Sequence, residues 1–170
     1  MSYKTSNPSD KIFYPSDRVR LLDELQHHRH RRKIVTINGC FDIFTIGHLY
    51  CLNKASVAGD ILVVGLNSDQ SVRKLKGDKR PILIEGERAL MIAQLPFVDY
   101  IFIYDEETSE KFVESIKPDV HVNDASYGYD CVEKKILDTY GGELFLIDKI
   151  DNDSTTNIIE RILERYGVQK

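Results

Sequence analysis

No stretch of the 170 residues reaches 18 consecutive apolar positions, so the sequence offers no membrane span. The amino-terminal run MSYKTSNPSDKIFYPSD is polar and lacks the apolar middle of a secretory leader. A cytoplasmic location is therefore the expectation. Cysteine is scarce and odd in number: Cys40, Cys51 and Cys131, with no CxxC pair. That speaks against a disulfide framework and against a zinc site, and the expectation is no protein-held metal. The formal charge of −4 gives no general attraction to nucleic acid or to an anionic membrane. There is no internal repeat and no second composition block.

One basic run departs from that balance, HHRHRRK at His27–Lys33. It is read as the solvated end of a first helix, where cations suit the negative end of the helix dipole. That helix is expected over Ser16–Gln26, with Val19, Leu21, Leu22 and Leu25 as its apolar positions.

What is present is 42% hydrophobic residues, enough for a core, arranged in alternation. KIVTIN (Lys33–Asn38) reads as a strand and Gly47–Ala58 as a helix with Leu49, Leu52, Ala55 and Val57 inward. ILVVGLN (Ile61–Asn67) is a continuous apolar run, as in a strand covered on both faces of a parallel sheet. Ser68–Leu83, rich in Lys, Gly and Pro, reads as a loop. A helix near Glu87–Leu95 precedes a strand over Asp99–Tyr104. A helix near Ser109–Ile116 precedes a strand over Asp119–Asn123. A helix near Cys131–Tyr140 stops at Gly141–Gly142. Glu143–Asp148 is the last strand and Ser154–Tyr166 a capped amphipathic helix. The expected fold is α/β, a doubly wound, Rossmann-like five-stranded parallel sheet with helices on both faces. Residues 1–32 read as an extension with a helix, and residues 33–170 as the functional domain.

In such sheets ligands sit beyond the carboxyl ends of the strands. There the sequence places NGCFDIFTIGHLYCL, Asn38–Leu52. Asn38 and Gly39 allow a tight turn that exposes backbone amides. Gly47 keeps the start of the next helix clear, and that helix end offers unpaired N–H groups to an anion. His48 in the first turn adds a donor for a phosphoryl oxygen. Strand, turn and helix together point to phosphate binding. No Ser–His–Asp arrangement is visible, and nothing near Cys40 would activate it as a nucleophile.

The same stretch resembles the first signature of the HIGH-motif nucleotidyltransferase superfamily. GLNSDQSVRKLKG (Gly65–Gly77), RPIL (Arg80–Leu83), Glu87–Val120 and DSTTNIIERI (Asp153–Ile162) follow in the order seen in its heptose 1-phosphate adenylyltransferases. Glycerol-3-phosphate cytidylyltransferases are more distant relatives. The resemblance covers roughly Lys33–Arg165. It departs in three places. Thr45 stands where a first histidine is common. NDASY (Asn123–Tyr127) replaces a Lys-Gly-Gly-Asp-Tyr-like run, keeping the tyrosine and losing the lysine. Tyr3–Arg31 has no counterpart in the minimal module.

The resemblance implies attack of a sugar-phosphate oxygen on the α-phosphorus of a nucleoside triphosphate, with release of pyrophosphate. Such chemistry rests on positioning and charge neutralisation. It assigns catalysis to His48, Thr45 and Lys76. It assigns nucleotide binding to Asn38, Gly39, Cys40, Phe41, Asp42, Gly47, Asn67, Asp69, Arg88, Ser154, Thr155 and Thr156. Asp42 holds the loop or a metal-bound water; Arg88 is a cationic contact or pairs with Glu85 or Asp99; Asp69 is a ligand or caps the next turn. Acceptor contacts fall to Asn123, Asp124 and Tyr127. Mg2+ would arrive with the triphosphate, held by phosphates and water. The implied partners are ATP with D-glycero-β-D-manno-heptose 1-phosphate, or CTP with glycerol 3-phosphate or another polyol or alkyl phosphate. A homodimer is implied as well. A non-catalytic nucleotide-binding regulatory domain is the reading from another class.

Overall fold

In the computed structural model, residues 7–148 and 154–167 are described. The five expected strands form at their expected places: β2 (Ile34–Gly39), β3 (Ile61–Asn67), β4 (Tyr100–Tyr104), β5 (Val120–Asp124) and β6 (Glu143–Ile147). A sixth, β1 (Ile12–Phe13), corrects the count. It lies parallel to β4, with Ile12 opposite Ile101 and Phe13 opposite Phe102. Two residues in a polar segment carry no alternation to read, yet Phe13 is buried. The strand order is β1-β4-β3-β2-β5-β6, and every pairing is parallel. The chain proceeds outward from β2 in one direction and then crosses to its other side. The crevice at the switch in strand order therefore opens at the carboxyl ends of β2 and β5.

Helices cover both faces. α2 (Ile46–Ser56) and α4 (Glu85–Ala93) bury Leu52, Ala55, Ala89, Ile92 and Ala93 against Val35, Ile37, Val64 and Leu66. On the other face α1 (Arg18–His28), α5 (Glu110–Ile116) and α6 (Val132–Asp138) bury Leu21, Leu25, Phe112, Val113, Ile116 and Leu137. The 1–32 segment thus adds an edge strand and a core helix to the same sheet. β3, central and buried at all seven residues, is the continuous apolar run.

Several local expectations are revised. Val57 and Val19 are exposed, because α2 ends at Ser56 and Val19 lies on the outer side of α1. The segment read as a loop contains α3 (Asp69–Lys76), capped by Ser68 Oγ, which accepts from Ser71 N at 3.2 Å. Its polar composition hides the short helix, of which only Ser71 and Val72 are buried. In the basic run, Arg29 donates to the carbonyls of Ile116 and Lys117 at the end of α5. A cation does meet a helix carboxyl end, but a neighbouring helix's. Gly141 has φ +82° and stops α6 as expected. The last helix, α7 (Thr155–Tyr166), leaves Ile162, Leu163 and Tyr166 exposed.

Candidate nucleotide site at the carboxyl end of the sheet

The TIGH segment closes on itself as a reciprocal cap. Thr45 precedes α2 in extended conformation, and its Oγ1 accepts from His48 N at 3.3 Å. In return Thr45 N donates to His48 Nδ1 at 3.2 Å. Thr45 is therefore an N-cap with a histidine in the place usually held by Glu or Gln. The exchange also sets the tautomer. A ring nitrogen that accepts an amide proton carries none, so the proton of the neutral imidazole sits on Nε2. The phenyl ring of Phe41 meets the imidazole edge-on at 5.3 Å between centroids, and Phe44 lies at 5.8 Å.

Phe41 holds the turn. It is buried, with φ +44°, in the left-handed region that costs a non-glycine residue energy. Its ring lies over Gly39, where an added Cβ would stand 3.1 Å from Phe41 Cε2. A side chain at Gly39 would be tight against this ring, whereas the positive φ of the expected tight turn falls at Phe41 and Gly39 itself ends β2.

Two buried ionic groups brace the turn from behind. Asp42 is buried and accepts from the amides of Ile82 and Leu83 at 2.8 and 2.9 Å and from Arg80 Nε. Burial alone would raise its carboxyl pKa, but these amides and the guanidinium outweigh it and hold the group below the usual carboxylate range. Of the two roles weighed for Asp42, the structure gives it the first: it holds the loop. Arg88 is fully buried. It donates to the carbonyls of Cys40, Asn67 and Leu83 at 2.5, 2.9 and 3.0 Å, and to Asp69 Oδ1 at 2.8 Å. Its partner is Asp69, not Glu85 or Asp99, and its guanidinium is spent on positioning the ends of β2 and β3. Asp69 is the first residue of α3 rather than a cap, and its backbone N donates to Glu85 Oε2.

The remaining expected residues gather around this frame. Asn38 Nδ2 donates to the Tyr104 hydroxyl at 3.3 Å. Asn67 is buried and donates to Ser71 Oγ at 2.9 Å. Burial pushes the Cys40 thiol up against the opposing pull of Lys76, Arg88 and Arg80. A thiol held protonated is no nucleophile. Lys76 is exposed at the end of α3, near enough for its charge to act on Cys40. Gly47 is half-buried in the first turn of α2. Ser154 Oγ caps α7, accepting from Asn157 N at 3.1 Å. Thr155 is buried and its Oγ1 donates to the Ile43 carbonyl at 3.3 Å, which brings the start of α7 beside the first turn; Thr156 is exposed. Asp153, quoted with them in the motif, lies outside the described residues. Across the crevice, Asn123 Oδ1 accepts from Asp124 N, while Asp124 Oδ1 accepts from Ser126 N and Oγ in a short turn. Tyr127 is exposed.

Sequence reasoning missed Arg80, Tyr104, Ser109 and Glu133, and His121 deeper in β5. The one available signal was His121 and Asn123 alternating with valine inside a strand, which puts two polar side chains on a face that should be apolar.

The geometry agrees with what the chain is similar to. Residues 36–162 match the family model described as cytidylyltransferase-like. The bifunctional protein HldE of Syntrophotalea carbinolica is 46% identical over 151 residues, 88% of this chain and 31% of that protein. That of Helicobacter pylori is 46% identical over 84% of this chain and 30% of its own length. The chain spans about a third of the length of these curated relatives. A lipopolysaccharide core biosynthesis protein from Thermoplasma volcanium superposes with a TM-score of 0.55 at 26% identity, covering 70% of this chain and 97% of that one. Pantoate-beta-alanine ligase from Francisella tularensis shares the fold, with a TM-score of 0.61 at 11% identity, over 90% of this chain and 79% of its own. With the glycine turn, the capped histidine and the family match over the same residues, the chain belongs to the cytidylyltransferase-like family.

Proposed function

We propose that this chain is a nucleotidyltransferase that joins the nucleoside monophosphate of ATP to D-glycero-β-D-manno-heptose 1-phosphate and releases pyrophosphate. The observation that carries the reading is the Thr45–His48 cap. It fixes a neutral imidazole with its proton on Nε2 in the first turn of α2, beside the glycine turn. An oxygen of the acceptor phosphate attacks the α-phosphorus. The new P–O bond forms as the bond to the bridging oxygen breaks, and the electron pair leaves with pyrophosphate. His48 Nε2–H and the amides of the α2 start stabilise the charge that gathers on the phosphoryl oxygens. Lys76 neutralises the leaving phosphates, and Ser154, Thr155 and Thr156 close over them. The acceptor phosphate is already anionic, so no general base is called for. Mg2+ enters with the triphosphate. Both oxygens of Asp42 are taken by Arg80, Ile82 and Leu83, which suits an ion held by phosphates and water. When bound, the ion offsets phosphate charge.

Asn123 and Tyr127 line the acceptor side, whereas Asp124 is engaged in its own turn. Among the described residues, no helix is long and apolar enough to cross a membrane, and a cytoplasmic enzyme is the reading we carry forward. A homodimer is carried with it, to be measured by light scattering on the eluting protein. The exposed Ile162, Leu163 and Tyr166 offer apolar surface for it. The cytidylyltransferase-like match favours a second reading, CTP with a polyol phosphate. A pyrophosphate-release matrix of four NTPs against heptose 1-phosphate, glycerol 3-phosphate and other sugar phosphates tests both. ATP with heptose 1-phosphate should give the highest kcat/KM. A higher value for CTP with glycerol 3-phosphate replaces the first reading with the second, and no release from any pair removes both.

A further inference from the structure

On the face of the sheet opposite α2, the middle of β2 and β5 is polar where a parallel sheet is normally apolar, and Asn123 continues the polar positions toward the carboxyl end. Thr36 of β2 and His121 of β5 are register partners, both fully buried, with Thr36 Oγ1 2.8 Å from His121 Nδ1. Burial lowers His121 to about 4, so its ring is neutral near pH 7. Its Nε2 is buried with no hydrogen-bond partner among the described residues. Glu133, in the first turn of α6, is only 8% exposed. Its Oε1 accepts from Ser109 Oγ, and its charge acts on His121, Tyr104 and Cys131. The Cys131 thiol interacts in turn with the Asn123 side chain. Half-buried Asn123 and Cys131 thus stand above a buried floor of Glu133, Ser109, His121 and Thr36.

Such a floor opposes stability. A buried carboxyl group and an unsatisfied ring nitrogen each cost free energy that apolar residues of the same size would not. The floor adjoins the rim assigned above to the acceptor and faces away from the amides and cations of the α2 side. A carboxyl group repels phosphate but accepts readily from hydroxyls. We propose that Glu133 contacts the acceptor, its carboxyl group accepting hydrogen bonds from sugar hydroxyls that enter past Asn123 and Cys131, with His121 as the positioning residue behind it. The ligand class is the polyhydroxylated part of a sugar phosphate, whose phosphate points to the α2 side. This rests on the acceptor placement of the previous section and names the residues that read its hydroxyls.

The test is calorimetric binding of D-glycero-β-D-manno-heptose 1-phosphate, and separately of ATP with Mg2+, to the whole chain and to Glu133→Gln, His121→Leu and Ser109→Ala. Binding is measured with or without turnover, so a failed pyrophosphate assay and a failed pocket are told apart. Glu133→Gln should weaken the sugar phosphate about ten- to a hundred-fold and leave ATP within about twofold. His121→Leu should weaken it by a smaller factor, again with ATP unchanged, a split that a mere core brace would not produce. If Glu133→Gln does not fold, Ser109→Ala, which removes a donor and leaves the carboxyl group in place, should show the same selective loss. Equal sugar-phosphate binding in wild type and folded variants, no binding by wild type, or a loss of ATP affinity of the same size overturns the proposal.

Discussion

The two walls of the crevice are built by opposite means. The α2 wall is made of backbone: a glycine turn, a helix start and a reciprocal cap, with Asp42 and Arg88 hidden behind it. The α6 wall is made of side chains, Thr36, His121, Ser109 and Glu133, brought together from four separate places in the chain. The first presents donors, the second acceptors and a neutral ring. The contrast bears on how, in the proposed function, a chain of net charge −4 meets a highly anionic ligand. In the proposed function, amides and the His48 imidazole meet the phosphates, while the carboxylates on this wall, Asp42 and Asp69, are paired with Arg80 and Arg88.

The comparison breaks most completely if the brace behind the backbone wall is removed. Arg88→Ala leaves the Asp69 carboxylate and three carbonyls without their buried donor, and should cost about 3–5 kcal/mol of stability in urea unfolding. Arg88→Lys should not restore it, since one ammonium cannot reach four acceptors in a plane. A loss under about 1 kcal/mol in the alanine variant would show that the turn stands without the brace. Next comes the imidazole proton. His48→Ala should lower kcat by about 10²–10³-fold and move the KM for NTP much less, because the donor counts most when charge develops. Near-normal turnover by the folded variant would take His48 out of the mechanism.

The α6 wall is sharpened by pH. Folded His121 takes up its proton at about 4 and the unfolded chain near 6.5, so on acidification the unfolded state is protonated first. Stability is therefore unaffected by this ring above pH 6.5 and declines as pH falls toward 4, with a slope of at most about 1.4 kcal/mol per pH unit. Urea midpoints measured across that window should show a decline that is flatter in His121→Leu. Parallel curves for the two proteins would mean that other groups carry it. The smallest effect is expected at Cys40→Ser, within about twofold in kcat, since burial keeps that thiol protonated. Abolished turnover in a folded Cys40→Ser protein would reopen covalent chemistry.

The backbone wall was legible in the sequence because its signals are local. Gly39, Thr45, Gly47 and His48 lie within ten residues, and each has a conformational meaning without knowledge of the rest. β3 was legible for the same reason. Arg88 was seen, but its role was not: whether a cation reaches ligand or is buried in carbonyls depends on strands and turns up to 48 residues away. The α6 wall was nearly invisible. Glu133 sits in an ordinary-looking helical run and becomes unusual only when Ser109 and His121 are packed beside it. β1 and α3 were missed because two residues, or eight mostly polar ones, hold too little periodicity. Tertiary pairing with β4 and the Ser68 cap supply what the local pattern lacks.

The hydrogen bond from Thr155 to the Ile43 carbonyl joins positions 112 residues apart. During synthesis, at about 5–20 residues per second, the glycine turn emerges roughly five to twenty seconds before the helix start that is to lie beside it. Until then Thr155 cannot reach Ile43, so the tie between the first turn and α7 is a late contact in the making of the molecule, timed by the distance between two short motifs.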